Sequence, residues 1–137
     1  MRTTLSLALA ALLGHTLAAC ATAPALRAER GHAQEGYASY YNDRLAGRST
    51  ASGEPYRPTQ LTAAHRTLPF GTTVRVQRRD RPDSVVVRIN DRGPYAGTQR
   101  VIDLSRAAAE RIGMIRAGVV PVRVEVLSGP ARPRQGT

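Results

Sequence analysis

The chain has 137 residues, enough for one domain and not for two. Its formal net charge is +10, and all 20 basic residues are arginine. Such a chain is drawn to anionic polymers, but it has no RNP-like, helix-turn-helix or zinc-ligand pattern, so nucleic acid is not an expected partner.

Residues 1–19, MRTTLSLALAALLGHTLAA, hold one arginine, an apolar run from Leu5 and no carboxylate. This reads as a secretory signal peptide, too short and wrongly flanked for a transmembrane helix. The next residue, Cys20, is the only cysteine, which excludes an internal disulfide. The stretch LAAC, 17–20, resembles a bacterial lipobox, in which the cysteine becomes the lipidated N-terminus. Ala21 follows it where an inner-membrane retention signal has Asp, so the expectation is a lipid anchor on the periplasmic face of the outer membrane. Residues 20–35 are Ala-rich and aperiodic, as suits a tether.

From Gly36 the pattern changes to short runs of strand type. GYASYY (36–41), QLTAAH (60–65), TTVRVQR (72–78), SVVVRIN (84–90) and VPVRVEVL (120–127) are separated by turn residues. In three of them the inward face is clear: Val74 and Val76; Val85, Val87 and Ile89; Val122, Val124 and Val126. Ser105 can cap a helix over 106–112, with Leu104, Ala108 and Ile112 as its apolar stripe and Gly113 as its stop. A core over 36–127 with five or six strands and one short helix predicts a small closed β-barrel, which leaves no sheet edge exposed. Residues 128–137 read as a loose tail.

Most acids in this core have structural readings. Asp80 and Asp83 sit in a hairpin turn, Asp43 in a turn after the first strand, Glu110 on the open helix face and Glu125 on the polar side of a strand. Three remain. Glu54 lies in a Gly-, Ser- and Thr-rich loop beside Tyr56. Asp91 opens the turn NDRGP, where it either holds the turn or faces a cleft; Arg92 next to it would lower its pKa if the side chains meet. Asp103, framed by Ile102 and Leu104, is either a charge near the helix start or a partly buried acid suited to giving up a proton. His65 can satisfy one core hydrogen bond, or orient a carboxylate. It has no His or Cys partner at ligand spacing, so no metal is expected, and nothing calls for a cofactor. Tyr41, Tyr56 and Tyr95 adjoin these loops and could stack on sugar rings.

The segments GYASYYNDRLAGRSTASGEPY, LTAAHRTLPFGTTVRV, VVVRINDRGPY and VIDLSRAAAERIG occur in this order over residues 36–127 and resemble the rare lipoprotein A family. Those proteins are double-psi β-barrels, and septal-ring lytic transglycosylases are their best-known members. The resemblance implies a six-stranded double-psi barrel. It also implies cleavage of the β-1,4 bond between N-acetylmuramic acid and N-acetylglucosamine in peptidoglycan, without water, leaving a 1,6-anhydro-muramyl end. One carboxyl can protonate the glycosidic oxygen and then take the proton of the muramyl C6 hydroxyl.

By motif, the resemblance places function at Glu54, His65 and Asp91, with Asp91 as the first choice for the acid/base. Asp103 matches the acid that expansins and membrane-bound transglycosylase A use, and stands close behind. Tyr41, Tyr56, Arg92 and Tyr95 are the expected substrate contacts. Arg88, Arg92 and Arg100 could meet stem-peptide carboxylates in a protein that binds the wall without cutting it. The expected partners are peptidoglycan glycan strands and, through Cys20, the outer membrane, with the protein itself a monomer. Relatives often have Trp-Tyr where this chain has Tyr40-Tyr41, and longer ones carry a C-terminal SPOR domain for septal targeting; only ten residues follow Leu127 here.

Overall fold

A computed structural model describes residues 28–131; the signal-like segment, Cys20 and the end of the tail lie outside the described residues. Six strands form the barrel: β1 (Ala33–Tyr40), β2 (Thr62–Ala64), β3 (Thr73–Arg78), β4 (Ser84–Asp91), β5 (Arg100–Leu104) and β6 (Val120–Ser128). They close in the order β1-β5-β2-β4-β3-β6. The β1/β5 and β2/β4 pairs are parallel and the other four antiparallel. This is the expected closed six-stranded barrel with one short helix, α1 (Arg106–Arg111).

The valine alternation decides which faces turn inward. Val74, Val76, Val85, Val87, Ile89, Val122, Val124 and Val126 are buried, while Val86 between two of them is 44% exposed. Burying each such side chain contributes about 1.5–3 kcal/mol. Leu104, Ala108 and Ile112 are fully buried, so the predicted helix stripe plugs the barrel together with Met114. The Ser105 hydroxyl accepts from the Ala108 N–H at 3.3 Å and caps α1.

Two details depart from the sequence reading. β1 begins at Ala33, three residues inside the predicted tether, and pairs there with β6. Residues 100–104 form a full strand, β5, which had been visible only as an apolar frame around Asp103. Gly36 is what lets β5 approach β1: a Cβ at this position would lie 2.5 Å from Val101 Cγ1 and 2.8 Å from the Gln99 carbonyl oxygen.

Candidate active site

The barrel register aligns four residues from four strands. Ser39 on β1 is opposite Asp103 on β5; Asp103 is opposite Ala64 on β2; Ala64 is opposite Asp91 on β4. Facing residues in a ladder point to one side of the sheet, so both aspartates flank the small Ala64 on a common surface. Two strand spacings separate their backbones, about 10 Å. The ladder slips by one residue ahead of each acid, skipping Asn90 directly before Asp91 on β4 and Val101 two residues before Asp103 on β5. Strict alternation from Val87 and Ile89 would send Asp91 into the barrel. The bulge at Asn90 turns it out to the cleft instead. Gly93, at φ +138°, closes over this row; a Cβ there would sit 3.7 Å from Asp103 Oδ2 and 3.8 Å from Ala64 Cβ.

Asp103 is the protonatable member. Burial raises its pKa above the usual carboxylate range, and the Asp91 charge adds to this. A hydrogen bond donated by the Ser39 hydroxyl, with Arg100 and Arg66 further off, opposes the shift without cancelling it.

Asp91 is surrounded by donors. The Tyr41 hydroxyl donates to Oδ2 at 2.6 Å, and the N–H groups of Ala51 and Arg92 both donate to Oδ1 at 2.8 Å. Burial and this bond to Asp91 push the Tyr41 phenol pKa far up, so it stays a donor. Asp91 and Tyr41 open onto a cavity of about 410 Å³, walled by Leu45, Arg48, Thr50 and Tyr56. The Tyr41 and Tyr56 rings meet at 4.6 Å with a 60° tilt. Tyr56 is nearly buried, and its hydroxyl accepts from the Arg106 N–H, so it forms the wall between cavity and helix start. Tyr40 points the other way and donates to the Ile115 carbonyl. Tyr95 is 84% exposed on the rim beside Gly93.

The other predicted residues stand around this centre. Glu54 makes two bonds to Arg88, at 2.8 and 2.9 Å, and accepts from Asn90 Nδ2 at 3.2 Å. Those partners hold its pKa below the usual carboxylate range, which suits an anchor better than a proton donor. Its loop is tied to the centre nonetheless: Thr50 N–H donates to the Glu54 carbonyl, and Ala51 two bonds on donates to Asp91.

His65 bonds Gln34 Oε1 through Nε2 at 3.1 Å, and its Nδ1 accepts from the Thr67 and Leu68 N–H groups. Burial and nearby arginines lower its pKa to about 4. The ring therefore shapes the 65–68 turn, and the carboxylates are reached only through the main chain, where His65 N–H donates to the Asp91 carbonyl at 3.1 Å. The Arg92 side chain does not meet the Asp91 carboxylate. Its guanidinium donates to the His65 and Leu68 carbonyls and lies 3.9 Å above the Phe70 ring, which leaves it a brace between two loops. Ser39, Ala64 and the Ala51 N–H escaped the sequence reading, because only the barrel register brings them to the aspartates.

One contrast singles out the centre. Of the 10 carboxylates in the chain, Glu29 precedes the first strand. Seven of the other nine (Glu35, Asp43, Glu54, Asp80, Asp83, Glu110 and Glu125) make salt bridges to arginine. From the first strand onward, among the described residues, only Asp91 and Asp103 lack one. In a chain with twice as many arginines as acids, two acids on one face without a salt bridge stand apart from the rest.

Comparison with known proteins gives this arrangement its context. Residues 33–124 match the model of the lytic transglycolase family. The chain is 59% identical over 95 residues to a Nostoc sp. protein named "Probable endolytic peptidoglycan transglycosylase RlpA", covering 68% of this chain and 25% of that one. It is 50% identical over 97 residues to the endolytic peptidoglycan transglycosylase RlpA of Pasteurella multocida, covering 71% of this chain and 33% of that one. The chain thus spans about a quarter to a third of the length of these relatives. Among solved structures, a Streptomyces papain inhibitor superposes with a TM-score of 0.58 at 26% identity, over 72% of this chain and 97% of that one.

Proposed function

The chain belongs to the lytic transglycolase family, and on that premise we propose that it is an endolytic peptidoglycan lytic transglycosylase. Its reaction would cut the β-1,4 bond between N-acetylmuramic acid and N-acetylglucosamine. The observation that carries this reading is the pair of aspartates without a salt bridge on one face, Asp103 with a raised pKa and Asp91 held by three donors.

Asp103 supplies its proton to the glycosidic oxygen as the bond from that oxygen to muramyl C1 breaks. Positive charge then develops on the muramyl ring, and the Asp91 carboxylate, kept in place by Tyr41 and Ala51, stabilises it. The muramyl C6 oxygen closes on C1 and loses its proton to the Asp103 carboxylate, which restores the acid. No water is consumed. Glu54 and His65 act by position: the first ties the 47–56 loop to β4, the second fixes the turn that follows β2. Tyr41, with Tyr56 behind it, forms the aromatic wall of the substrate cavity.

The family resemblance also supports an envelope location. In this reading Cys20 carries a lipid that holds a monomeric barrel at the periplasmic face of the outer membrane, with residues 1–19 removed.

The test is digestion of purified peptidoglycan followed by mass spectrometry. Anhydro-muramyl ends, one water lighter than hydrolysis products, are expected, and both Asp103→Asn and Asp91→Asn should lose them while keeping the folded melting transition. Hydrated reducing ends would make the protein a hydrolase. Binding without release of any fragment would make it a wall-binding module.

A further inference from the structure

A second depression lies at the Tyr37–Arg100 pair of β1 and β5. Its volume is about 370 Å³, and Tyr37, Gly97, Gln99, Arg100 and Val119 line it. Tyr37 and Val119 are 39% and 38% exposed, two of only four large apolar side chains left open to solvent among the described residues. Tyr37 and Arg100 are direct partners in the β1/β5 ladder, as Ser39 and Asp103 are two residues further along β1. Tyr37 and Ser39 therefore share one side of β1, and Tyr41 follows just past its end. Tyr37 stands about 7 Å from the acid's row and about 13 Å from Tyr41.

Arg100 is the cation of that depression. Its stem runs along Gly97, where a Cβ would lie 3.7 Å from Arg100 Cγ and Cδ. Among the described residues it has no carboxylate partner, whereas Arg88 is taken by Glu54 and Arg92 by main-chain carbonyls. Its charge is felt at Asp103, three residues along β5. An aromatic face beside an unpaired guanidinium suits a sugar that carries a carboxylate. In an alternating glycan of N-acetylglucosamine and N-acetylmuramic acid, only the muramyl unit has one.

We infer that Tyr37, Arg100 and Val119 form a second sugar subsite, in which Tyr37 packs against a muramyl ring and Arg100 pairs with the carboxylate borne by its lactyl arm. This rests on the transglycosylase reading and adds to it what the cleft recognises. The carboxylate can be the free lactyl group of a peptide-stripped strand or a carboxylate of the attached stem peptide. Both present the same charge to Arg100, and the substrates below separate them.

The experiment compares the full-length protein with Arg100→Gln, Arg100→Lys and Tyr37→Ala on three glycans: peptide-bearing, peptide-stripped, and stripped with the lactyl carboxylates converted to amides. Binding by cosedimentation is measured beside release of anhydro-muramyl ends. A charge-assisted hydrogen bond of ordinary strength predicts a rise of about tenfold or more in Kd and KM for Arg100→Gln. That rise should appear on the carboxylate-bearing glycans, vanish on the amidated one, and be partly reversed in Arg100→Lys. A loss confined to stripped glycan identifies the lactyl group, and one confined to peptide-bearing glycan identifies the stem. Tyr37→Ala should weaken binding on all three. Equal Kd for wild type and Arg100→Gln on every glycan would overturn the subsite. If the wild type binds but never cleaves, the binding arm still decides Arg100 while the transglycosylase reading alone falls.

Discussion

The two halves of the barrel wall treat charge in opposite ways. Around β3 and β6 the outward arginines are matched with acids: Arg75 with Glu125, Arg78 with Asp80 in the turn after β3, and Arg79 and Arg123 with Glu35 near the start of β1. Most of these pairs are solvent-exposed and contribute little stability each. In the row that joins β1, β5, β2 and β4, Asp103 and Asp91 are half-buried and accept hydrogen bonds from hydroxyl and main-chain N–H donors, with no guanidinium bonded to either. The first arrangement yields a soluble, inert surface. The second keeps a costly pair of carboxyl groups close together, the usual sign that a proton is handled there.

If that contrast is right, Asp103→Asn separates activity from stability. Loss of a general acid predicts a fall in anhydro-muramyl release of about a thousandfold. A group whose pKa is raised by folding adds stability only below its unfolded value, and that contribution is lost as pH rises through the folded pKa. At neutral pH Asp103 therefore costs stability, and the asparagine variant should melt at or above the wild-type temperature. Asp103→Asn that stays active, or that melts well below wild type, would break the comparison.

Acid should also weaken the cleft side before the arginine side. His65 has a folded pKa of about 4 against an ordinary 6.5, so the unfolded chain takes up a proton first. Stability from this residue is complete above about pH 6.5 and is lost as pH falls toward 4, by up to about 3 kcal/mol. The paired acids Glu54 and Asp80, with pKa values lowered by arginine, lose their contributions only at lower pH. Melting temperature measured from pH 7 to pH 4 should fall for the wild type and stay nearly flat for His65→Gln. Parallel curves would show that His65 does not carry the acid sensitivity.

The inert half was the more legible from sequence. Its strands alternate valine with arginine or glutamate, and that period alone sets inward and outward faces. β5 has no such alternation: Val101, Ile102 and Leu104 are all buried and run together, so it looked like a frame around one acid. The cleft depends on pairings between distant residues, Ser39 with Asp103 across 64 positions and Tyr41 with Asp91 across 50. No local pattern encodes them. Adjacency does not decide contact either: Arg92 follows Asp91, yet its side chain braces carbonyls at residues 65 and 68. The candidate acids themselves were legible, because once turns and exposed faces are set aside few carboxylates remain.

Glu54 sharpens the contrast, since it is an arginine-paired acid placed at the edge of the reactive half. Its two bonds to Arg88 join partners that are each more than a third exposed, so screening limits their worth to about 1 kcal/mol or less. Glu54→Gln should lower the melting point only slightly and reduce cleavage by about tenfold, mainly in KM, as the 47–56 loop loosens its hold on the Asp91 donors. The pH–rate profile should not move. A profile that shifts with this substitution would make Glu54 a proton carrier and Asp103 a bystander.

The smallest effect belongs to the inert half and serves as its control. Arg75 and Glu125 face each other across β3 and β6 at 3.7 Å, with side chains 45% and 36% exposed. Glu125→Gln should change stability by no more than about 0.5 kcal/mol, with the difference shrinking further in high salt. Cleavage of peptidoglycan should not change at all. A marked loss of activity would mean that glycan also runs over this wall of the barrel, and that its paired charges are part of the binding surface. Urea melts at low and high salt, measured beside the digestion assay, distinguish the two outcomes.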